Sequence, residues 1–310
     1  MANPLNNKIF QDADEARAWL ESLLWADGRV CGYCGVVDSS TALSSRPGYY
    51  QCKACRKQFT VMVGTVFERS HIPLNKWLMA AFLICASKKG MSAHQLHRML
   101  GITYKSAWFM EHRLREAMAP LKRGPLGGEG KTVEADTTYI GGREKNKHVG
   151  KRRHAPGGVG KQIVHTLVER GGEARSDHIA NVSGKTLRPV VMSQVRRESS
   201  LMTDTSGGYM RMGKEFARHE MVNHEIDEYV RGDATTNTVE SFFALLKRGV
   251  VGTYHSISEA HLKRYLAEFD FRYNTRTALG VNDETRTETM LKGIVGKRLT
   301  YRRPDETTNA

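Results

Sequence analysis

Three acids stand in settings that a carboxylate ordinarily avoids. Asp136 lies in the alternating stretch TVEADTTYIGG, and Asp204 closes the apolar segment SLMTD ahead of Thr-Ser-Gly-Gly. A carboxylate inside an apolar strand is costly unless something compensates its charge. Glu240 lies on the helical segment NTVESFFALLKRG, with 35 residues between it and Asp204, and Lys247 follows seven positions later on the same helix face. Two strand acids and one helix acid can converge on a pair of divalent cations. Mg²⁺ takes hard oxygen ligands and keeps positions for water and phosphate. Two such ions about 3.5–4 Å apart stabilise both the attacking and the leaving oxygen of an in-line displacement. Taken singly, each acid more often serves as a cap, a turn residue or an ion-pair partner. By spacing alone Glu134 and Asp233 are rivals for the same role.

A second metal chemistry is written in the cysteines. Cys31-x2-Cys34 is followed, after 17 residues, by Cys52-x2-Cys55. Thiolates two residues apart on a tight turn can both face one tetrahedral Zn²⁺, and four of them leave no open position, so the expected role is structural. Tyr49, Tyr50 and Phe59 are placed to cover a small module. Cys85, in AAFLICA, reads as a buried small hydrophobe.

These residues need elements to hold them. The 310 residues suffice for two or three domains, and 40% hydrophobic with 26% charged residues is ordinary for a globular chain. The charge is not ordinary: 47 Lys and Arg against 33 acids give +14, which favours a polyanionic partner through counterion release. No apolar run approaches the ~20 residues that span a bilayer. The start MANPLNNKIF has no signal-peptide pattern, so the expected location is the cytoplasm, where paired CxxC spacings point to metal.

The periodicity predicts an N-terminal helix within 1–27, a cysteine module over 28–70, a helical region over 71–122 and a Gly-rich linker over 123–130. It then predicts an α/β domain over 131–280 and an extension with a disordered tail over 281–310. In the helical region SAHQLHRMLGITYKSAWFMEHRLREAM has helix-turn-helix-like form, with Ser92 and Thr103 as caps. Lys105, His112, Arg113 and Arg115 would supply its DNA contacts. In the α/β domain strands are expected at TVEADTTYIGG, QIVHTLVER, SDHIANV and SLMTD, with helices at SGKTLRPVVMSQVRRE, NTVESFFALLKRGV and SEAHLKRYLAEFDFRYNTR. A basic loop from Arg143 to Lys161, including Lys151, Arg152 and Arg153, would grip DNA backbone or remain solvated.

With CGYCG, QCKACRKQFTVMVGTVFERS, VEADTTYIGG, LMTDTSGGY, TNTVESFFALLKRGVVGTYHSISEAHLKRYLAEFDFRYN and KGIVGKRLTYR on the page, the chain closely resembles the ISXO-like DDE transposases of bacterial insertion sequences. The resemblance spans nearly all of 28–303. It implies an RNase H-like catalytic domain preceded by a zinc ribbon, Mg²⁺ or Mn²⁺ as catalytic ions, and cut-and-join chemistry on the element's own ends. It carries over to Asp136 and Asp204, to Glu240 or Asn237 as third ligand, and to Lys247 near the scissile phosphate. Its partners would be terminal inverted repeats and target DNA, with at least a dimer needed to bring two ends together. Similar sequences often have His before the Thr-Asn pair; this chain reads Ala234-Thr235-Thr236-Asn237. Gly32 stands where Pro is frequent. Two other readings compete: a structure-selective nuclease, which would cut without joining, and a DNA-binding regulator without chemistry.

Overall fold

The computed structural model describes residues 4–120, 124–142, 144–152 and 160–300. The chain divides into two compact units: Met1–Pro120 together with Gly280–Ala310, and Leu121–Leu279. No helix among the described residues is long and apolar enough to cross a membrane.

In the first unit, α1 (Ala13–Leu24) starts where the Asp12 carboxylate accepts the N–H groups of Asp14 and Glu15 at 2.8 and 2.9 Å, satisfying donors that a helix start leaves unpaired. The cysteine module follows as an antiparallel sheet of β1 (Ser40–Ala42), β2 (Tyr50–Cys52) and β3 (Gln58–Phe59). Helix α2 (Leu74–Ala86) is buried along most of its length, Cys85 included, as its apolar run predicts. Helices α3 (Ala93–Leu100) and α4 (Tyr104–Met118) are capped by Ser92 and Thr103 as expected. Gly101 between them has φ +59°, the left-handed region a helix C-cap favours and glycine adopts without strain.

The second unit is a five-stranded sheet between helices. Its strands are β4 (Thr132–Ile140), β5 (Gln162–Glu169), β6 (Ala174–Ile179), β7 (Ser200–Asp204) and β8 (Arg218–Val222), in the order β6-β5-β4-β7-β8. β4, β5 and β6 run antiparallel, whereas β7 and β8 run parallel to β4. Alternation splits β4 between two cores. Val133 and Ala135 pack towards α5 (Gly184–Gln194) with Leu187 and Val191. Ile140 packs towards α6 (Asn237–Gly249) and α7 (Glu259–Asn274), with Val239, Phe242 and Leu266. A short hairpin, β9 (Val230–Arg231) with β10 (Ala234–Thr235), leads into α6.

The expected strands and helices of this unit are present, but three features differ from expectation. β8 was not foreseen. The described part of the Gly-rich linker is bonded into the second unit: Leu126 N–H donates to Gln194 O at 2.7 Å, and Gly128 N–H to Ser199 Oγ at 2.8 Å. The stretch after residue 280 returns to the first unit as α8 (Asp283–Lys292), whose Arg286 donates to Cys85 O at 3.1 Å. The tail beyond residue 300 lies outside the described residues.

Candidate active site and zinc site

The sheet register brings the two aspartates together. β4 and β7 pair in parallel through Ala135 and Thr203, so the next residues, Asp136 and Asp204, are neighbours at the same sheet edge on adjacent strands. Glu240 faces the same cavity from the first turn of α6. All three, with Lys247 and His224, line one cavity of about 710 Å³. Asn237 is exposed at the start of α6, and its N–H donates to Thr235 Oγ1 at 3.1 Å.

The rivals are occupied elsewhere. Glu134 is fully buried and accepts the N–H groups of Thr238 and Val239 at 2.8 and 3.0 Å, the Thr238 hydroxyl at 2.9 Å and Arg170 Nε at 2.7 Å. It therefore fastens α6 to β4 and has no oxygen left for an ion. Asp233 is exposed and paired with Arg218 at 2.6 Å.

Charge at the site is under-compensated. Burial pushes the Asp136 carboxyl up to about 7; Asp204 and Glu240 push the same way, against the Thr137 N–H and Lys247. Burial also raises Asp204, opposed by the Ser206 N–H at 3.1 Å and by His224. The Tyr209 phenol is held well above its usual range by burial and by both aspartates. Hard oxygen donors that repel one another in a partly dry cavity suit divalent cations, whose charge removes the repulsion. Sequence reasoning missed His224, which emerges after β8 beside Asp204, and Tyr209, which lies under the acids. No histidine precedes the Thr-Asn pair, so the imidazole in the cavity comes from a separate turn.

The four cysteine Sγ atoms lie within 4.8 Å of one another, the one such group of three or more potential ligands among the described residues. Cys31 Sγ is 3.8 Å from Cys55 Sγ, and Cys34 Sγ is 3.7 Å from Cys52 Sγ. A tetrahedron with arms of about 2.3 Å has edges near these values, so the thiolates fit Zn²⁺. The thiols are driven apart: Cys52 is pulled down to about 7, first by the Cys55 N–H, and Cys34, against the Val36 N–H, is pushed up to about 11 by burial and its neighbouring thiols, as expected of four sulfurs crowded together. Trp25, Tyr50 and Phe59 pack around the cluster.

The expected DNA-contacting residues separate into surface and core. Lys105 is exposed at the start of α4. Arg113 is half-buried, stacks on Phe109 and donates to Glu68 O at 3.1 Å. Arg115 is a correction: it is 1% exposed and paired with buried Glu111 at 3.0 Å, so it serves the core of its unit and offers nothing to a surface ligand. His112 is buried likewise. In the basic loop, exposed Arg152 donates to the carbonyls of Lys147 and Lys145, both at 2.9 Å. Arg153 and the Lys151 side chain lie outside the described residues.

Comparison with known proteins adds two domain matches. Residues 125–274 match the ISXO2-like transposase domain, and residues 11–58 match the transposase zinc-ribbon domain. A relative described as an uncharacterized protein in transposable element ISH50 of Halobacterium salinarum is 28% identical over 280 residues, spanning 86% of this chain and 92% of its own length. Among solved structures, the simian T-cell lymphotropic virus intasome in complex with PP2A regulatory subunit B56 gamma aligns over 62% of this chain and 66% of that one, at 15% identity and a TM-score of 0.27.

Proposed function

Because the chain carries a transposase zinc ribbon followed by an ISXO2-like transposase domain, we propose that it cuts and joins DNA at the ends of an insertion sequence by a DDE-type two-metal mechanism. The observation that carries the reading is the one cavity that Asp136, Asp204 and Glu240 line together with Lys247. A mixed sheet with helices on both faces and acids on adjacent central strands supports an RNase H-like catalytic domain.

Asp136, Asp204 and Glu240 would together hold the Mg²⁺ or Mn²⁺ ions. When bound, the ions would supply Lewis acidity and charge neutralisation at the phosphodiester. Asp136 would hold an ion as the carboxylate, its proton passing to solvent. The Ser206 N–H holds Asp204 Oδ1, and the Thr236 hydroxyl holds Glu240 Oε1 at 3.0 Å, so both carboxylates enter the reaction already oriented. Lys247 brings a cation to the phosphate. Water first displaces the 3′ oxygen at the element end; the freed 3′-OH then attacks a target phosphodiester. Each step exchanges one P–O bond for another, so joining needs no nucleotide hydrolysis.

The zinc ribbon, its Zn²⁺ purely structural, would bind terminal inverted repeats together with the α3–α4 hairpin, read as helix-turn-helix-like. Lys105 and Arg113 would contact phosphates there, and the loop bearing Lys151, Arg152 and Arg153 would contact backbone. Bringing two ends together calls for at least a dimer. The test is incubation of the zinc-loaded chain with Mg²⁺ or Mn²⁺ and DNA bearing the native element ends. Strand transfer supports the reading, cleavage alone indicates a nuclease, and binding alone indicates a regulator.

A further inference from the structure

The third carboxylate is held by a directional chain of hydrogen bonds. Thr236 is fully buried, and its hydroxyl lies 3.0 Å from Glu240 Oε1 and 3.2 Å from His224 Nε2. An ionised carboxylate only accepts, and a threonine hydroxyl has one proton. That proton goes to Glu240, so the Thr236 oxygen must accept from His224 Nε2–H. His224 Nε2 is itself 3.5 Å from Glu240 Oε1. Both contacts fall on the same carboxylate oxygen. Among the described residues Glu240 Oε2 has no protein partner, and Glu240 lines the cavity with Asp136 and Asp204.

The surroundings fix the imidazole. His224 opens a 3-10 turn (His224–Ile226) directly after β8, whose last residue pairs with Asp204. The turn is closed by Glu228 N–H donating to Asn223 O at 3.0 Å, and by Asn223 N–H donating to the Glu228 carboxylate at 3.2 Å. The ring meets Tyr229 edge-on, with centroids 5.1 Å apart. Thr236 is fixed too, because its carbonyl accepts the Glu240 N–H at 3.0 Å in the first turn of α6.

We propose that His224 and Thr236 form a positioning relay that fixes Glu240 Oε1 and presents Oε2 to a divalent cation. The inference rests on the two-metal reading of the cavity but concerns binding of the ion and not the reaction. Neither residue touches the reacting atoms; both act through Glu240. Partners of this kind orient a ligand, and their loss costs metal affinity.

The test is calorimetric titration of the zinc-loaded full chain with Mn²⁺. The wild type binds Mn²⁺ at a site that Asp136→Asn abolishes. His224→Ala and Thr236→Val each weaken that binding about tenfold. Because the His224 Nε2–H is donated to Thr236 and its 3.5 Å separation from Glu240 Oε1 is at the limit of a hydrogen bond, the main path runs through Thr236, and the double variant is no weaker than the poorer single to within about threefold. His224→Gln, which keeps a donor, and Thr236→Ser, which keeps the hydroxyl, stay within about threefold of wild type. Thr236→Val preserves shape, so the Thr236 variants decide the matter if His224→Ala does not fold. Wild-type binding in both single variants, multiplied losses in the double, or a wild type that binds no Mn²⁺ overturns the relay. A chain with this Mn²⁺ pattern that leaves element ends uncut refutes the transposition chemistry and keeps the relay. A chain that cuts and joins while both single variants bind Mn²⁺ normally does the reverse.

Discussion

The carboxylate of Glu134 on β4 accepts the backbone N–H of Val239 in the first turn of α6 at 3.0 Å. The strand that carries Asp136 thus also anchors the start of the helix that carries Glu240. A helix start concentrates unpaired donors and partial positive charge, and a buried carboxylate there satisfies both.

Glu134→Gln should therefore weaken the fold. It removes the charge opposite Arg170 and disturbs a buried cap, a loss of about 2–4 kcal/mol. Urea denaturation measures it, and a loss below about 1 kcal/mol would show that the bracket is dispensable.

Two basic residues on one helix should behave oppositely. Arg115→Ala breaks a buried ion pair with the Glu111 carboxylate and should cost about 3–5 kcal/mol of stability. Lys105→Ala should leave stability nearly unchanged but weaken DNA binding and lower the salt slope by about one. Equal effects on stability would contradict the separation into core and surface.

The cysteine cluster should hold one Zn²⁺ per chain by metal analysis. Chelation should unfold the module that contains β1–β3, because so small a sheet has little other core. Cys31→Ser and Cys52→Ser should lose the metal, whereas Cys85→Ser should keep it. Full zinc content in Cys52→Ser would refute the four-thiolate site.

Asp136 gives a pH signature. Its carboxyl stands near 7 in the folded chain against an ordinary 3.8. Between those values the folded chain keeps a proton that the unfolded chain has lost, so this group's contribution to stability falls as pH rises to about 7 and is then constant. With zinc bound and no Mg²⁺ or Mn²⁺ added, Asp136→Asn should be more stable than wild type at pH 8, by roughly 1–4 kcal/mol. The gap should shrink as the pH falls toward 4. Added Mn²⁺ should stabilise wild type and not the variant. Thermal unfolding across pH measures all three, and a gap independent of pH would contradict the burial of an under-compensated acid.

The sequence made the cysteine pairs, β4–β7 and the helices α1–α7 readable, because each has a clean apolar period or a fixed spacing. It did not reveal β8: RHEMV buries only Val222, and an edge strand of that composition has no alternation to detect. α8 was hidden because part of its buried face is polar, with Arg286 and Thr287 inside beside Met290 and Leu291. Arg115 looks like any surface arginine until Glu111 is seen to face it in the core. Asp136 and Glu134 are two residues apart on one strand face, so spacing alone could not tell ligand from cap. His224 lay in a segment with no periodicity, and only the end of β8 beside Asp204 gives it meaning.

The central claim is that Asp136, Asp204 and Glu240 together hold the ions of a DNA-joining site. Strand transfer of native element ends in Mg²⁺ or Mn²⁺, wild type against Asp204→Asn, tests it most directly. The account predicts joined product from wild type and a rate about a thousandfold lower from the variant, with zinc content unchanged and the variant still cooperatively folded. Joining by Asp204→Asn at the wild-type rate would contradict it.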